Sequence, residues 1–102
     1  MDLGLKGKVA LVAGGSQGLG LAVAMEFARE GAKVAICALD DPHLQEAADA
    51  LRKETGGRAF AIPADVSDLE QAKNFVRKAA AHFGTVDILV NNAGGPPSMS
   101  FL

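Results

Sequence analysis

The sequence contains no tyrosine and no tryptophan, and it has one cysteine and two histidines among 102 residues. Without tyrosine, no mechanism that needs a phenol as proton donor can run within this chain. The single Cys37 cannot form an internal disulfide, and its place in an apolar run is typical of a small buried hydrophobe. Neither His43 nor His82 has companions at metal-ligand spacing, so we predict no metal site.

An excess of charge of one sign and long apolar runs are also lacking. The formal net charge is −2 and the charges of both signs are interleaved, which leaves no basic face for nucleic acid. No apolar run approaches the ~20 residues that span a bilayer, and the first residues contain no secretory apolar region. We therefore predict no nucleic-acid or membrane partner and a cytoplasmic location. The hydrophobic fraction of 49% is ample for a globular core.

Short apolar segments alternate with amphipathic ones along the chain. The pattern predicts strands over 8–13, 33–38, 58–62 and 86–90, with a helix between each pair. This alternation is typical of an α/β fold, a Rossmann-type parallel sheet with crossover helices, and we expect the strand order 3-2-1-4. In that order a ligand should lie over the carboxyl ends of the first and fourth strands.

The same pattern predicts how the chain is divided and where the third helix begins. We predict one Rossmann-type half over 1–94, and a loop or frayed tail over 95–102, where no periodicity is present. Ser67 and Glu70 have the spacing of a capping box at the start of the third helix.

Several glycines follow the first predicted strand and open the first predicted helix, and three of them have distinct expected roles. Gly14 permits a tight turn, Gly18 lets the backbone approach a pyrophosphate, and Gly20 allows close helix packing. The free N–H groups of the helix start would face the anion. A plain strand-to-helix turn is the alternative, but the position within a strand–turn–helix unit favours dinucleotide binding.

With the spacing Gly14-x-x-x-Gly18-x-Gly20, the chain resembles the short-chain dehydrogenase/reductase family. Three further features occur in the order expected for that family. They are the acidic pair after the second strand, Asp65-Val66 after the third, and Asn91-Asn92-Ala93-Gly94 after the fourth. The Gly-Gly-Pro-Pro continuation is similar to 3-oxoacyl-carrier-protein reductase relatives in particular.

The resemblance implies a dinucleotide cofactor, NAD or NADP, and a set of residues that bind it. The Asp65 carboxylate would accept a hydrogen bond from the adenine amino group, and the Val66 backbone would meet the adenine edge. Asn91 would lie on the ribose and nicotinamide side. The implied set is Gly14, Ser16, Gln17, Gly18, Leu19, Gly20, Leu39, Asp65, Val66, Asn91, Ala93 and Gly94. An ordinary loop aspartate at Asp65 and a turn-forming amide at Asn91 are the alternatives.

The residues around the predicted site leave the choice between NAD and NADP open. NADP-preferring relatives tend to carry basic residues where this chain has Gln17 and Leu39. NAD-preferring relatives carry an aspartate where this chain has Ala38, and Asp40 comes two positions late for that role. Asp41 is placed to cap the second helix.

The family's catalytic serine and Tyr-x-x-x-Lys pair belong to later elements, and without tyrosine that pair is not in this chain. The resemblance implies the cofactor-binding part of an NAD(P)-dependent short-chain oxidoreductase, with an incomplete sheet and no activity alone. Its parent would reduce a carbonyl or oxidise an alcohol, with 3-oxoacyl thioesters as one substrate class, and would be a homo-oligomer. A non-catalytic dinucleotide-binding or partner-pairing module is the alternative. The Asn-Asn-Ala-Gly run argues against a third hypothesis, a methyltransferase-type fold.

Overall fold

A computed structural model describes residues 4–14, 18–39 and 42–91, together with the backbone of 98–101. Within these residues strands and helices alternate along the chain up to the last two strands. The strands are β1 (Val9–Ala13), β2 (Lys33–Ala38), β3 (Ala59–Pro63), β4 (Ile88–Asn91) and β5 (Ser98–Phe101), and the helices are α1 (Gly18–Arg29), α2 (Pro42–Thr55) and α3 (Leu69–Phe83).

The strands form one sheet in the order β3-β2-β1-β4-β5. β1 to β4 are parallel, and Ala13 at the end of β1 lies beside Cys37 of β2 and Asn91 of β4. The predicted order 3-2-1-4 is therefore confirmed. Because the chain moves outward through β2 and β3 and then returns to the other side of β1, the connections diverge between β1 and β4.

Side chains of β1 alternate between two cores, one on each face of the sheet. Val12 belongs to the core that includes Leu44 of α2, whereas Leu11 belongs to the core that includes Phe75 of α3. All four side chains are almost completely buried. Burial on both faces explains why the central strands are continuous apolar runs, not alternating ones.

Each helix is followed by a glycine with positive φ, and the ends of α1 and α3 show how the chain turns back toward the sheet. At the end of α1, Gly31 has φ 92°, and the Ala32 N–H donates to the Phe27 carbonyl at 3.0 Å. At the end of α3, Gly84 has φ 86° and its N–H donates to the Ala80 carbonyl at 2.7 Å. Glycine accepts these left-handed conformations without a steric penalty, so each helix stops within a few residues of the next strand.

The segment that follows β4 contains a strand, so the prediction of a loop or frayed tail over 95–102 is wrong for residues 98–101. β5 runs antiparallel to β4, with Met99 opposite Val90 and Ser98 opposite Asn91. Without it β4 would present unpaired N–H and C=O groups at the sheet edge, and the next segment of chain satisfies them. The alternation of serine with Met99 and Phe101 is the period-two signal that sequence reasoning passed over.

β3 extends one residue beyond its predicted end and includes Pro63. Pro63 pairs with Ala38 of β2, and the Ala64 N–H donates to the Ala38 carbonyl at 2.9 Å. β3 is the outer strand on this side of the sheet. Proline lacks an N–H and is tolerated in such an edge strand.

Candidate functional site

A cavity of about 340 Å³ opens at the carboxyl ends of the parallel strands. Gly14 follows β1, Ala38 ends β2, Ala64 follows β3 and Asn91 ends β4, and each of these residues lines the cavity. The other lining residues are Leu39, Asp65, Val66 and Ser67. The cavity therefore lies at the edge of the sheet where the strand order predicts a ligand.

Part of the predicted cofactor-binding set comes together in this cavity. Its members there are Gly14, Leu39, Asp65, Val66 and Asn91. Gly18, Leu19 and Gly20 lie instead in the first turn of α1, outside the cavity lining. The predicted residues Ser16, Gln17, Ala93 and Gly94 lie outside the described part of the chain, as do Asp40, Asp41 and Asn92.

The glycine turn has backbone conformations that other residues rarely adopt. Gly14 has φ 81°, and its N–H donates to the Cys37 carbonyl at 2.7 Å, which connects the turn to β2. Gly18 has φ 61°, and a Cβ atom built on it would meet no atom within 4 Å. Gly20 is buried on the inner side of α1. The backbone therefore requires glycine at Gly14 and Gly18 and leaves open space beside the start of α1.

Asp65 lies on the turn between β3 and α3, with one carboxylate oxygen engaged. Its Oδ1 accepts from the Ser67 hydroxyl at 2.6 Å and from the Ser67 N–H at 3.0 Å. These two bonds, the hydroxyl first, lower the pKa of Asp65 below its usual value. Asp65 is therefore charged at neutral pH, and no described residue donates to its Oδ2.

Asp68 caps α3, so the predicted capping box of Ser67 and Glu70 is wrong. Oδ1 of Asp68 accepts from the Glu70 N–H at 2.9 Å and from the Gln71 N–H at 3.4 Å. The Ser67 hydroxyl donates to Asp65 instead. A carboxylate accepts from orphan N–H groups more strongly than a hydroxyl does, and it also carries the negative charge that a helix start favours.

Gln71 belongs to the same cluster, and sequence reasoning missed it. Its Oε1 accepts from the Asp65 N–H at 2.8 Å, and its Nε2 donates to Oδ2 of Asp68 at 3.4 Å. The spacing Asp68-x-x-Gln71 is a capping-box pattern one residue later than the predicted one. That signal was present in the sequence and could have drawn attention to Gln71.

The cavity is mostly apolar around one negative charge. Among the described lining residues, Asp65 alone carries a charge, and none is a lysine or arginine. Leu39 is 64% exposed at the rim. Nearby in β2, Cys37 is fully buried, as predicted, and burial raises the pKa of its thiol to about 12 against a smaller opposite effect from the Gly14 backbone. A thiol of this kind is neutral and unreactive at physiological pH.

Two absences apply to the described residues alone. No group of three or more His, Cys, Asp or Glu side chains among them is arranged to hold a metal ion. None of the helices found in those ranges has both the length and the apolar character needed to cross a membrane.

The parallel sheet in the order 3-2-1-4, with a glycine turn and a cavity at the divergence of its connections, defines a Rossmann-type α/β protein. Residues 8–102 match the family model described as short chain dehydrogenase. The chain belongs to the short-chain dehydrogenase family, and the resemblance found from the glycine spacing is confirmed at that level.

Similar proteins include plant and fungal relatives. The chain is 42% identical over 95 residues to 11-beta-hydroxysteroid dehydrogenase-like 2 of Arabidopsis thaliana, covering 93% of this chain and 31% of the relative. It is 45% identical over 91 residues to elsinochrome reductase 1 of Elsinoe fawcettii, covering 88% of this chain and 34% of the relative. The chain thus spans about a third of the length of these curated relatives.

Solved structures with the same fold include two sugar-related enzymes. L-sorbose reductase from Gluconobacter frateurii, in complex with NADPH and L-sorbose, is 43% identical with a TM-score of 0.86, over 93% of this chain and 36% of that one. An NAD⁺-bound xylitol dehydrogenase is 34% identical with a TM-score of 0.83, over 89% of this chain and 35% of that one.

Proposed function

We propose that this chain is the NAD(P)-binding part of a short-chain oxidoreductase that reduces a carbonyl or oxidises an alcohol. The observation that carries the proposal is the cavity at the carboxyl ends of β1 to β4, where residues from four separate segments meet. The cofactors named for L-sorbose reductase and xylitol dehydrogenase, NADPH and NAD⁺, support the choice of ligand.

In this proposal the adenine ring lies in the cavity between Leu39 and Val66. The volume of about 340 Å³ and the mostly apolar lining suit a flat heterocycle. Oδ2 of Asp65 would accept from the exocyclic amino group, because Oδ1 is already bonded to Ser67. Asn91 would lie on the ribose and nicotinamide side.

The start of α1 would hold the pyrophosphate. The open space beside Gly18 supports this assignment, because a side chain there would occupy the path of a phosphate oxygen. The amides of residues 16–19 are assigned to the same anion by resemblance. None of the described lining residues is a lysine or arginine that could bind a 2′-phosphate, and the choice between NAD and NADP stays open.

When bound, the nicotinamide ring supplies the hydride chemistry. This chain contributes binding and orientation through Asp65, Gly18 and Asn91. Its sequence contains no tyrosine to serve as the phenolic proton donor that the family uses. We therefore expect dinucleotide binding without carbonyl-reductase turnover by this chain.

The finer assignments rest on the sequence. The Gly-Gly-Pro-Pro continuation after Ala93 supports 3-oxoacyl thioesters as the substrate class of the complete enzyme. We also propose that the complete enzyme is a cytoplasmic homo-oligomer. Steady-state assays with a 3-oxoacyl thioester and with simple ketones would separate the first assignment from a broader carbonyl specificity.

Calorimetric titration of the chain with NAD⁺, NADH, NADP⁺ and NADPH tests the proposal. We expect saturable one-to-one binding and a loss of about tenfold to a hundredfold in Asp65→Asn, which replaces an ionic acceptor by a donor. The Ser67 donors keep the asparagine oxygen on their side, so its amide nitrogen would face the adenine amino group.

Asp49→Asn is the matched control, because Asp49 is an exposed carboxylate on α2 whose partner is Arg52. It should bind each dinucleotide as the unaltered chain does. If the unaltered chain bound none of the four dinucleotides, the proposed function would be wrong. Equal losses in both variants would exclude Asp65 from the site.

A further inference from the structure

The turn that carries Asp65 is held at three separate atoms. The Asp65 N–H donates to Oε1 of Gln71 at 2.8 Å, and the Asp65 carbonyl accepts from the Asp68 N–H at 3.0 Å. The third is Oδ1, which accepts from Ser67. Of these three contacts, the one with Gln71 is made by a side chain of α3 that reaches back to the turn.

We infer that Gln71 is a positioning residue for nucleobase recognition: it orients the turn of Asp65 so that the remaining carboxylate oxygen faces the cavity. The inference rests on the proposed function and goes one layer beyond it, to a residue that does not line the cavity. Gln71 would act on the ligand only through Asp65.

Because the cluster is exposed, the loss of its hydrogen bonds should change the orientation of Asp65 more than the free energy of unfolding. The hydrogen bonds of Gln71 to Asp65 and Asp68 are all exposed. Water can replace exposed bonds of this kind, so their loss changes the free energy of unfolding little. Water cannot replace the fixed direction of the Asp65 carboxylate, because a free turn samples several orientations and a recognising group must be held within a fraction of an ångström.

Base selectivity is the property that this orientation controls. Adenine presents an amino donor where hypoxanthine presents a carbonyl acceptor, so a fixed carboxylate binds the first and repels the second. If the carboxylate is free to turn away, adenine loses its hydrogen bond and hypoxanthine escapes the repulsion. The ratio of the two affinities therefore reports the positioning of Asp65 and is insensitive to a uniform loss of binding.

Two variants of Gln71 separate its contacts. Gln71→Met keeps the length of the side chain and removes both hydrogen bonds. Gln71→Glu keeps the acceptor for the Asp65 N–H and replaces the donor to Asp68 by a carboxylate, which the helix start favours and the Asp68 carboxylate opposes. Gln45→Met is the matched control, because Gln45 is an exposed glutamine in the first turn of α2.

The experiment measures the affinity of each chain for NADH and for its hypoxanthine analogue by calorimetry, with circular dichroism to check folding. We expect Gln71→Met to bind NADH roughly threefold to tenfold more weakly and to lose most of its preference for adenine. Gln71→Glu and Gln45→Met should keep the preference of the unaltered chain.

Each other outcome decides against the inference. An unchanged preference in Gln71→Met, or an equal loss for both ligands, would show that Gln71 only supports the helix start. Loss of the preference in Gln71→Glu would show that contact with the Asp65 N–H is not sufficient. Failure of the unaltered chain to bind either ligand would instead overturn the proposed function, and this inference with it.

Discussion

The hydroxyl of Ser67 donates to Oδ1 of Asp65 at 2.6 Å, and the Ser67 N–H donates to the same oxygen at 3.0 Å. This pairing divides the carboxylate between two tasks. Oδ1 holds the turn before α3, and Oδ2, to which no described residue donates, belongs to a residue that lines the cavity. The pairing also favours the charged form of Asp65, which an acceptor for an amino group requires.

Removal of the Ser67 hydroxyl should raise the pKa of Asp65 toward its usual value. In the unaltered chain the folded pKa of Asp65 is lowered. The contribution of its charge to the free energy of unfolding is therefore complete above the unfolded pKa and is lost as pH falls through the folded pKa. In Ser67→Ala that loss should begin at a higher pH. A carbon-detected NMR titration of the Asp65 carboxyl measures the change, and Ser67→Thr, which keeps a hydroxyl, is the control. An identical titration in Ser67→Ala would contradict this account of the shift.

Gly18→Ala should weaken NADH binding by about tenfold or more, because the added methyl group enters the space assigned to the pyrophosphate. Gly56→Ala is the control. Gly56 has φ 67° against 61° for Gly18, neither would place a Cβ within 4 Å of another atom, and Gly56 follows α2 at the opposite edge of the sheet. Both variants should unfold at similarly reduced denaturant concentrations, since alanine in this conformation costs about 1 kcal/mol. Equal NADH affinities in the two would remove Gly18 from the site.

Cys37 should resist alkylation in the folded chain. Its side chain is fully buried and its pKa is about 12, so almost no thiolate is present or accessible at pH 8. Mass spectrometry after treatment with iodoacetamide should find the thiol unmodified in buffer and modified in concentrated denaturant. Rapid modification under native conditions would mean that β2 opens locally on the time scale of the reaction.

Phe75→Ala should destabilise the chain by about 3–5 kcal/mol, because it leaves a cavity between α3 and the sheet. Phe75 is 1% exposed and is the largest fully buried side chain among the described residues. Phe83→Ala is the comparison, since Phe83 is only partly buried at the end of the same helix, and its loss should be smaller. Urea unfolding followed by circular dichroism measures both, as the chain has no tryptophan for fluorescence. A larger effect for Phe83→Ala would contradict the packing described for α3.

The parallel sheet and its order could be predicted because the signals for them are local. Apolar runs ending in glycine, separated by helical stripes, leave few topologies open, and the divergence between β1 and β4 follows from the order alone. The glycine spacing was equally informative, because Gly14 and Gly18 have positive φ values that residues other than glycine rarely adopt. β5 was not predicted, because its short period-two pattern forms a strand only where the neighbouring β4 offers unpaired N–H and C=O groups.

The candidate site was predicted less completely, since its geometry depends on competition between partners. The Ser67 hydroxyl could accept from an N–H group of the helix start or donate to the Asp65 carboxylate. It donates to Asp65 and leaves the helix cap to Asp68. Sequence spacing cannot rank such options, because the outcome depends on which atoms the turn brings within 3 Å. Gln71 has a capping-box spacing from Asp68, but that spacing does not indicate that its side chain bonds to the Asp65 N–H.

The family, the strand order and the glycine turn could be predicted from the sequence, because they follow from residue types and spacing along the chain. That Asp65, Leu39 and Asn91 share one cavity, and that Oδ1 of Asp65 is bonded to Ser67, depends on the folded chain. Residues far apart in sequence meet only when parallel strands align their carboxyl ends. The direction of a side chain is then set by the hydrogen bonds that its new neighbours can make.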